Sequence, residues 1–346
     1  MKKSLYGLNN SNRDFTKKES WGKNQFNSSF PASLCCYFHK KKLSPNYLII
    51  KNNKIQISTI EVTKLFGGKP EEVYFAFESI FEKFDNLVEG TLPRNDLVIK
   101  NLNTKEDIKS LEIKLTALPD ETTFNEKEKD YGCEIVVRPD TIVYLVCSII
   151  KNCKIGEETI KEIKTLKNIL WTDIDQILKY FPNIINILTK ISVSDKFSSD
   201  PLILQPIWKT KGKSPILDEN CLDIFVWSSA SFLNFICQIS KSKTYSNINR
   251  PMRTIIWIFK MYLDYLNLGK FDYKKIFDQL SYKTRNDKAF ASSGKITNKY
   301  MKCKNLIKPR IKKSEIKEII LNNAQELLSP ERRFDAVIFN DKNLFV

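Results

Sequence analysis

Apolar and polar positions alternate twice between Asp96 and Leu115, with a polar break in the middle. Asp96-Leu97-Val98-Ile99-Lys100 and the run from Ile108 to Leu115 flank Asn101 to Asp107, a stretch rich in turn formers. The pattern predicts a β-hairpin. A turn centred near Thr104 pairs Lys100 with Ile108 and sets Asp96 opposite Glu112. Strand side chains alternate faces, so Leu111, Ile113 and Leu115 point to a core while Glu112 and Lys114 share the other side.

The rest of the chain reads around this hairpin. Residues 1–30 are polar and read as a loosely packed arm, followed by a buried helix from Phe30 to Phe38 with Pro31 in its first turn. Tyr47 to Ile60 predicts two strands about the turn Lys51-Asn52-Asn53-Lys54, and Glu61 to Phe66 closes at Gly67-Gly68. Pro70 to Leu87 predicts a helix with Val73, Phe77, Ile80, Phe81 and Phe84 on one side and Glu78, Glu82 and Asp85 on the other. Glu134 to Arg138 and Thr141 to Ile149 supply further strand or buried segments broken at Pro139, after a charged loop from Asp120 to Gly132. Glu157 to Leu170 and Asp173 to Leu188 have helical periodicity, with Pro182 bending or ending the second. Ser192 to Ser214 is broken by Pro201 and Pro206, and Cys221 to Ile239 and Met252 to Leu268 predict apolar, aromatic-rich helices. An amphipathic helix from Ser314 to Leu328 and a terminal strand from Ala336 to Phe339 complete the chain. The division expected is an arm (1–30), a core bearing the hairpin (31–150) and a mainly helical region (151–346) that completes the fold.

Composition changes the picture in two ways. Fifty-six Lys and Arg against 40 Asp and Glu leave a net charge of +16, which favours a polyanionic partner such as nucleic acid. A single histidine, His39, argues against Ser-His-Asp or Cys-His catalysis, and with eight cysteines but no CxxC pair it argues against a zinc site. Cys147 and Cys237 lie in apolar runs and read as small core residues in a reducing, cytoplasmic protein. The basic start MKKSLYGLNNSNRDF has no apolar core of a signal peptide, and no apolar run spans a membrane.

The hairpin then acquires a chemical use. Two carboxylates brought together, Asp96 and Glu112, repel each other, and a hard divalent cation such as Mg²⁺ relieves the repulsion. Lys114 beside them can orient a water or stabilise charge on a phosphate. Glu78 is a candidate further carboxylate for the cation or its water shell, and Asp107 is the alternative acid at the far end of the hairpin. Two basic segments suit a DNA backbone: Trp208 to Lys213, with Lys209, Lys211 and Lys213, and Tyr282 to Lys304, with Arg285, Lys288, Ser292, Ser293 and Lys295. Ser293-Gly294-Lys295 is not a phosphate loop, which needs Gly at Ala289 and Ser or Thr at Ile296. A cation held this way can polarise a phosphodiester and lower the pKa of a bound water, which suits a nuclease. A non-catalytic nucleic-acid-binding protein is the competing reading and makes the acidic cluster incidental. An RNA nuclease stays open, and a membrane-surface protein ranks last because the apolar helices are better used as core.

With these residues in hand, the chain resembles the HindVP-like type II restriction endonucleases. The resemblance rests on Ser110 to Asp120, SLEIKLTALPD, with support from Gln25 to Pro31, Asn286 to Met301 and Leu328 to Phe334, and so covers most of the chain. It implies an α/β (α+β) fold: a PD-(D/E)xK nuclease core of mixed sheet flanked by helices, with a largely helical C-terminal part. It also implies Mg²⁺-dependent cleavage of double-stranded DNA at a palindrome of the GRCGYC kind, and a companion methyltransferase acting on the same site. In that pattern Asp96, Glu112 and Lys114 are the catalytic residues, and the backbone carbonyl of Ile113 is an added metal ligand. Asn95 stands where the named motif has Pro, and Pro93 lies upstream of it. A palindromic target suits a two-fold homodimer.

Overall fold

The computed structural model describes residues 5–21, 23–52, 54–114, 134–197, 201–207, 223–242, 244–284, 287–293, 315 and 318–320. The hairpin forms β4 (Asn95–Asn101) and β5 (Asp107–Ile113). They lie in a seven-stranded mixed sheet with β1 (Asn46–Lys51), β2 (Lys54–Thr59), β3 (Val73–Ser79), β7 (Pro201–Ile207) and β8 (Asp223–Ser228), in the order β2-β1-β8-β7-β5-β4-β3. β1–β8 and β5–β7 are parallel pairs, and the other neighbours are antiparallel. A second, two-stranded sheet pairs β6 (Glu134–Val137) with β9 (Phe290–Ser293). The expected mixed sheet flanked by helices is therefore present, and it draws two of its strands from beyond residue 150.

Alternation along the strands divides the core in two. Val98, Ala76 and Trp227 join one cluster with α3 (Pro139–Asn152), α5 (Ile174–Ser192), α6 (Ser229–Ser240) and α7 (Arg250–Leu268). Leu97, Ile99, Phe75, Phe77, Leu111 and Val226 join the other with α1 (Lys23–Lys40) and α2 (Val62–Phe66). Neighbours such as Leu97 and Val98 fall in different clusters because a strand presents its side chains to opposite faces. The centre of β4, Leu97-Val98-Ile99, is a continuous apolar run rather than the alternating one expected, because the strand is buried on both faces. α4 (Glu157–Thr165) and α8 (Tyr273–Gln279) complete the helices. Gly67 caps α2 in a left-handed conformation, and a Cβ there would meet the Cγ2 of Ile108 at 2.4 Å, so the glycine permits α2 to close on the hairpin.

Several expectations need correction. The helix expected over Pro70 to Leu87 is β3 followed by a 3-10 turn, Glu82–Leu87. Val73, Phe75 and Phe77 alternate into one core, and this period-2 burial prevails over the i, i+4 spacing of Val73, Phe77 and Phe81. The arm is no loose lead-in: Leu5, Leu8 and Phe15 are buried, and α1 begins at Lys23, which leaves Pro31 inside the helix rather than in its first turn. Pro139 opens α3 instead of breaking a strand, because proline at the first helical positions loses no intrahelical bond. Pro182 does not end α5, which runs to Ser192 with Ile184, Ile185, Leu188 and Ile191 buried. The segment broken by Pro201 and Pro206 forms β7, and β8 precedes α6 within the run expected as a single helix. The paired hairpin strands, the β1–β2 pair and α7 follow the expectation closely. The charged loop at 120–132 and the C-terminal strand at 336–339 lie outside the described residues, as does nearly all of the helix at 314–328.

Candidate active site

The hairpin turn is closed by Asn101, whose side-chain oxygen accepts the backbone N–H groups of Asn103 (2.9 Å) and Thr104 (3.0 Å). Lys105 completes it in a left-handed conformation. A bulge between Ile99 and Lys100 pairs Lys100 with Asp107 rather than with Ile108. Beyond the bulge the register is the expected one. Ile99 pairs with Lys109 and Leu97 with Leu111, and one step further Asp96 lies across from Glu112. The strands are tied there by the N–H of Ile113, which donates to Asp96 Oδ2 at 2.8 Å.

Glu112 and Lys114 are both nearly buried, and the Lys114 ammonium bonds directly to Glu112 Oε1. The same oxygen accepts the hydroxyl of Thr141, in the first turn of α3, at 2.7 Å. β5 is held from its other side by β7, with Glu112 paired to Ile203 and the N–H of Lys114 donating to Leu204 O at 3.0 Å. The carboxylate is therefore fixed by Lys114, just past the end of β5, and by Thr141 on α3.

Electrostatics follow from this packing. Burial pushes the Asp96 carboxyl up, and the neighbouring Glu112 pushes it further, to about 7, against the opposing effects of Lys114 and the Ile113 N–H. Burial pulls the Lys114 ammonium down, but Glu112 and Asp96 outweigh it and its pKa is raised. Asp140, just ahead of Thr141, is raised by burial and by Glu112. Two oxygen-donor side chains that repel each other suit a hard divalent cation. Among the described residues, no three His, Cys, Asp or Glu side chains converge as a ready-made metal cluster.

Glu78 stands on β3, not on a helix. Phe77 pairs with Leu97 and Ser79 with Asn95, so Glu78 falls beside Asp96, and Glu78, Asp96 and Glu112 occupy one row across β3, β4 and β5. Glu78 departs from strand geometry at φ 51° and forms an ion pair with Arg13 at 3.3 Å. Asp107, the alternative acid, is engaged elsewhere: it pairs with Lys100 at 3.0 Å and accepts the N–H of Glu82 at 2.6 Å.

The family model for the HindVP restriction endonuclease matches residues 21–345. The chain belongs to that family. It is 46% identical over its whole length to the probable type II restriction enzyme HindVP of Haemophilus influenzae, covering 96% of that protein. It is 42% identical over 99% of its length to the type II restriction enzyme HgiDI of Herpetosiphon aurantiacus, again covering 96% of the relative. No solved structure matches the chain.

Within this family member, the DNA-facing candidates are placed only in part. Lys209, Lys211, Lys213, Arg285 and Lys295 lie outside the described residues. Ser292 and Ser293 belong to β9, paired with Ile135 and Glu134 of β6. Lys288 lies two residues ahead of β9 and is half-buried. Its carbonyl accepts from Arg253 Nη2, and the carbonyl of Asp287 accepts from Arg138 Nη1 at 3.0 Å. β6 runs through Arg138 into α3, so the segment 287–293 is anchored to the element that delivers Thr141 to Glu112. No local sequence pattern marks Thr141, Arg13, Arg138 or Arg253 as partners of the site. Arg-Pro-Asp-Thr, a proline followed by an acidic residue, was an available helix-start signal for Thr141. The described residues contain no helix long and apolar enough to cross a membrane, and Cys35, Cys36, Cys147, Cys153 and Cys237 are free and buried.

Proposed function

We propose that this chain hydrolyses phosphodiester bonds in both strands of double-stranded DNA at a short palindrome of the GRCGYC kind. It would act in the cytoplasm as the nuclease half of a restriction-modification system, with a methyltransferase protecting the same site. The supporting observation is the convergence of Asp96, Glu112 and Lys114 at the open end of one hairpin, with Lys114 bonded to Glu112 and the Asp96 carboxyl raised by burial and then by Glu112. Membership of a family whose relatives are named type II restriction enzymes supports the substrate.

Mg²⁺ is the proposed cofactor, held by Asp96, Glu112 and the carbonyl of Ile113. When bound, such a cation polarises the phosphodiester and lowers the pKa of a coordinated water. The chain's own groups do the positioning. Lys114 is a cation, with its pKa raised by both carboxylates, so it orients the attacking water or stabilises charge on a phosphate oxygen rather than removing a proton. Thr141 fixes the Glu112 carboxylate through its hydroxyl. The basic segments around Lys209, Lys211 and Lys213, and from Arg285 and Lys288 to Ser292, Ser293 and Lys295, would contact the DNA backbone. A homodimer would present one such centre to each strand of a palindrome.

The test is incubation of purified protein with unmethylated plasmid carrying GRCGYC sites, in Mg²⁺ and in EDTA, beside Glu112→Gln. Discrete fragments from the wild type in Mg²⁺ alone are expected, with ends that map to the site. Intact DNA retained in a salt-sensitive complex, identical for wild type and variant, would favour a non-catalytic DNA-binding protein and reject the nuclease.

A further inference from the structure

Arg13 comes from the polar stretch ahead of α1, and the chain places it with many bonds. Residues 10–12 run along the free edge of β3: the N–H of Phe75 donates to Asn10 O at 2.8 Å, and that of Asn12 donates to Phe75 O at 3.3 Å. The Asn12 side chain then takes up both backbone groups of Phe77, donating to its carbonyl at 2.9 Å and accepting its N–H at 3.0 Å. The next residue of β3 is Glu78, where the strand turns into the left-handed region. The next residue of the N-terminal segment is Arg13.

The Arg13 guanidinium lies 4.5 Å over the Phe77 ring, and its Nη1 is bonded to the carbonyl of Gln25 and the hydroxyl of Ser29 on α1. Its remaining prong, Nη2, meets Glu78. The arginine side chain is 8% exposed and the glutamate 43%, so the cation is the fixed partner and the carboxylate the movable one. A left-handed conformation is unfavourable for a residue with a Cβ and persists where surrounding contacts hold it. Glu78 is in register with Asp96 and Glu112, yet no three acids converge among the described residues.

We propose that Arg13 is a positioning residue that withholds Glu78 from the cation site of Asp96 and Glu112. The proposal rests on the metal-dependent nuclease reading above. Without the guanidinium, Glu78 is free to relax towards its row neighbours, where a third carboxylate adds to the attraction for a divalent cation. Arg13 thus sets the affinity of the site rather than taking part in the chemistry.

The experiment is calorimetric titration of Mg²⁺ into the DNA-free protein, with circular dichroism to establish folding. Arg13→Met is expected to bind Mg²⁺ more tightly, by on the order of tenfold, because cation affinity rises with the number of charged oxygen ligands. The gain is expected to vanish in Arg13→Met/Glu78→Gln. Arg13→Lys keeps the charge but loses the fork, so a smaller gain is expected, and this variant carries the test if Arg13→Met does not fold. A merely structural arginine predicts unchanged or weaker binding in the folded variants, and either result overturns the proposal. So does a gain that persists in the double variant. Asp96→Asn separates the two readings. If the wild type binds Mg²⁺ and Asp96→Asn does not, while the Arg13 variants match the wild type, only the role of Arg13 falls. If the wild type takes up no Mg²⁺, or Asp96→Asn binds as well as wild type, the metal site falls and the proposal with it.

Discussion

The hydroxyl of Thr141 donates to Glu112 Oε1 at 2.7 Å, across the junction of α3 and β5. Thr141 is fully buried and Glu112 nearly so, and each is held by its own element. Partners of this kind orient a ligating carboxylate, and removing them typically weakens metal binding or activity by roughly 10- to 100-fold. Thr141→Val, which keeps the shape and deletes the donor, is expected to lose cleavage by about that factor. Thr141→Ser should keep most of it. Cleavage rates at saturating Mg²⁺ and at limiting Mg²⁺ check this, since a misplaced Glu112 shows first when the cation is scarce.

Asp96 carries the pH dependence. Its carboxyl is pushed up to about 7 in the folded protein, well above the ordinary range near 3.9. The folded state therefore binds a proton between about pH 4 and pH 7 that the unfolded chain has already released. By linkage this contribution to stability is fully present below about pH 4 and is lost as pH rises through about 7. Thermal unfolding in EDTA should show wild type losing stability from pH 5 to pH 8 more steeply than Asp96→Asn. If Asp96 holds Mg²⁺ as proposed, the cation displaces the same proton, so its apparent affinity should rise with pH up to about 7 and then level off. A flat affinity profile across that window would remove Asp96 from the metal site.

The hairpin was legible because its signals are local: alternation, a polar turn, and two strands whose lengths fix the register. Asp96 opposite Glu112 follows from those alone, and the bulge at Lys100 does not disturb it. The spacing of Val73, Phe77 and Phe81 places Glu78 on a helix, but a buried strand leading into a 3-10 turn produces the same spacing. Its place beside Asp96 depends on strand order, which no local pattern encodes. The partners of the site were illegible for the same reason. Arg13 reaches Glu78 across 65 residues, and Thr141 reaches Glu112 across 29. A polar segment reads as a solvated arm until the strand edge it covers is known.

Lys114 should separate chemistry from binding. It is nearly buried and bonded to Glu112, so it is poorly placed for a general electrostatic contact with the DNA exterior. Lys114→Met is expected to lower the cleavage rate by on the order of 10²- to 10³-fold. Affinity for uncleaved DNA in Ca²⁺, read by gel retardation, should change little. A parallel loss of binding and cleavage would make Lys114 a backbone contact instead.

Lys288 and Arg253 test the basic segment from opposite sides. Arg253 is fully buried on α7, lies 4.3 Å over the Trp257 ring, and holds the hydroxyl of Thr284 and the carbonyl of Lys288. Hydrogen bonds to a charged group contribute about 1.5–3 kcal/mol each. Arg253→Met is therefore expected to lower the unfolding free energy by about 3 kcal/mol in a denaturant titration, and to loosen the chain leading into β9. Lys288→Ala touches neither bond, because both use backbone or another residue, so stability should hold. If Lys288 neutralises a phosphate, Lys288→Ala reduces the slope of log affinity against log salt by about 0.9 and weakens all DNA sequences alike. Arg253→Met should reduce the slope by more, since it releases the whole segment. An unchanged slope in Lys288→Ala together with a reduced one in Arg253→Met would move the phosphate contact from Lys288 to another cation on the same segment.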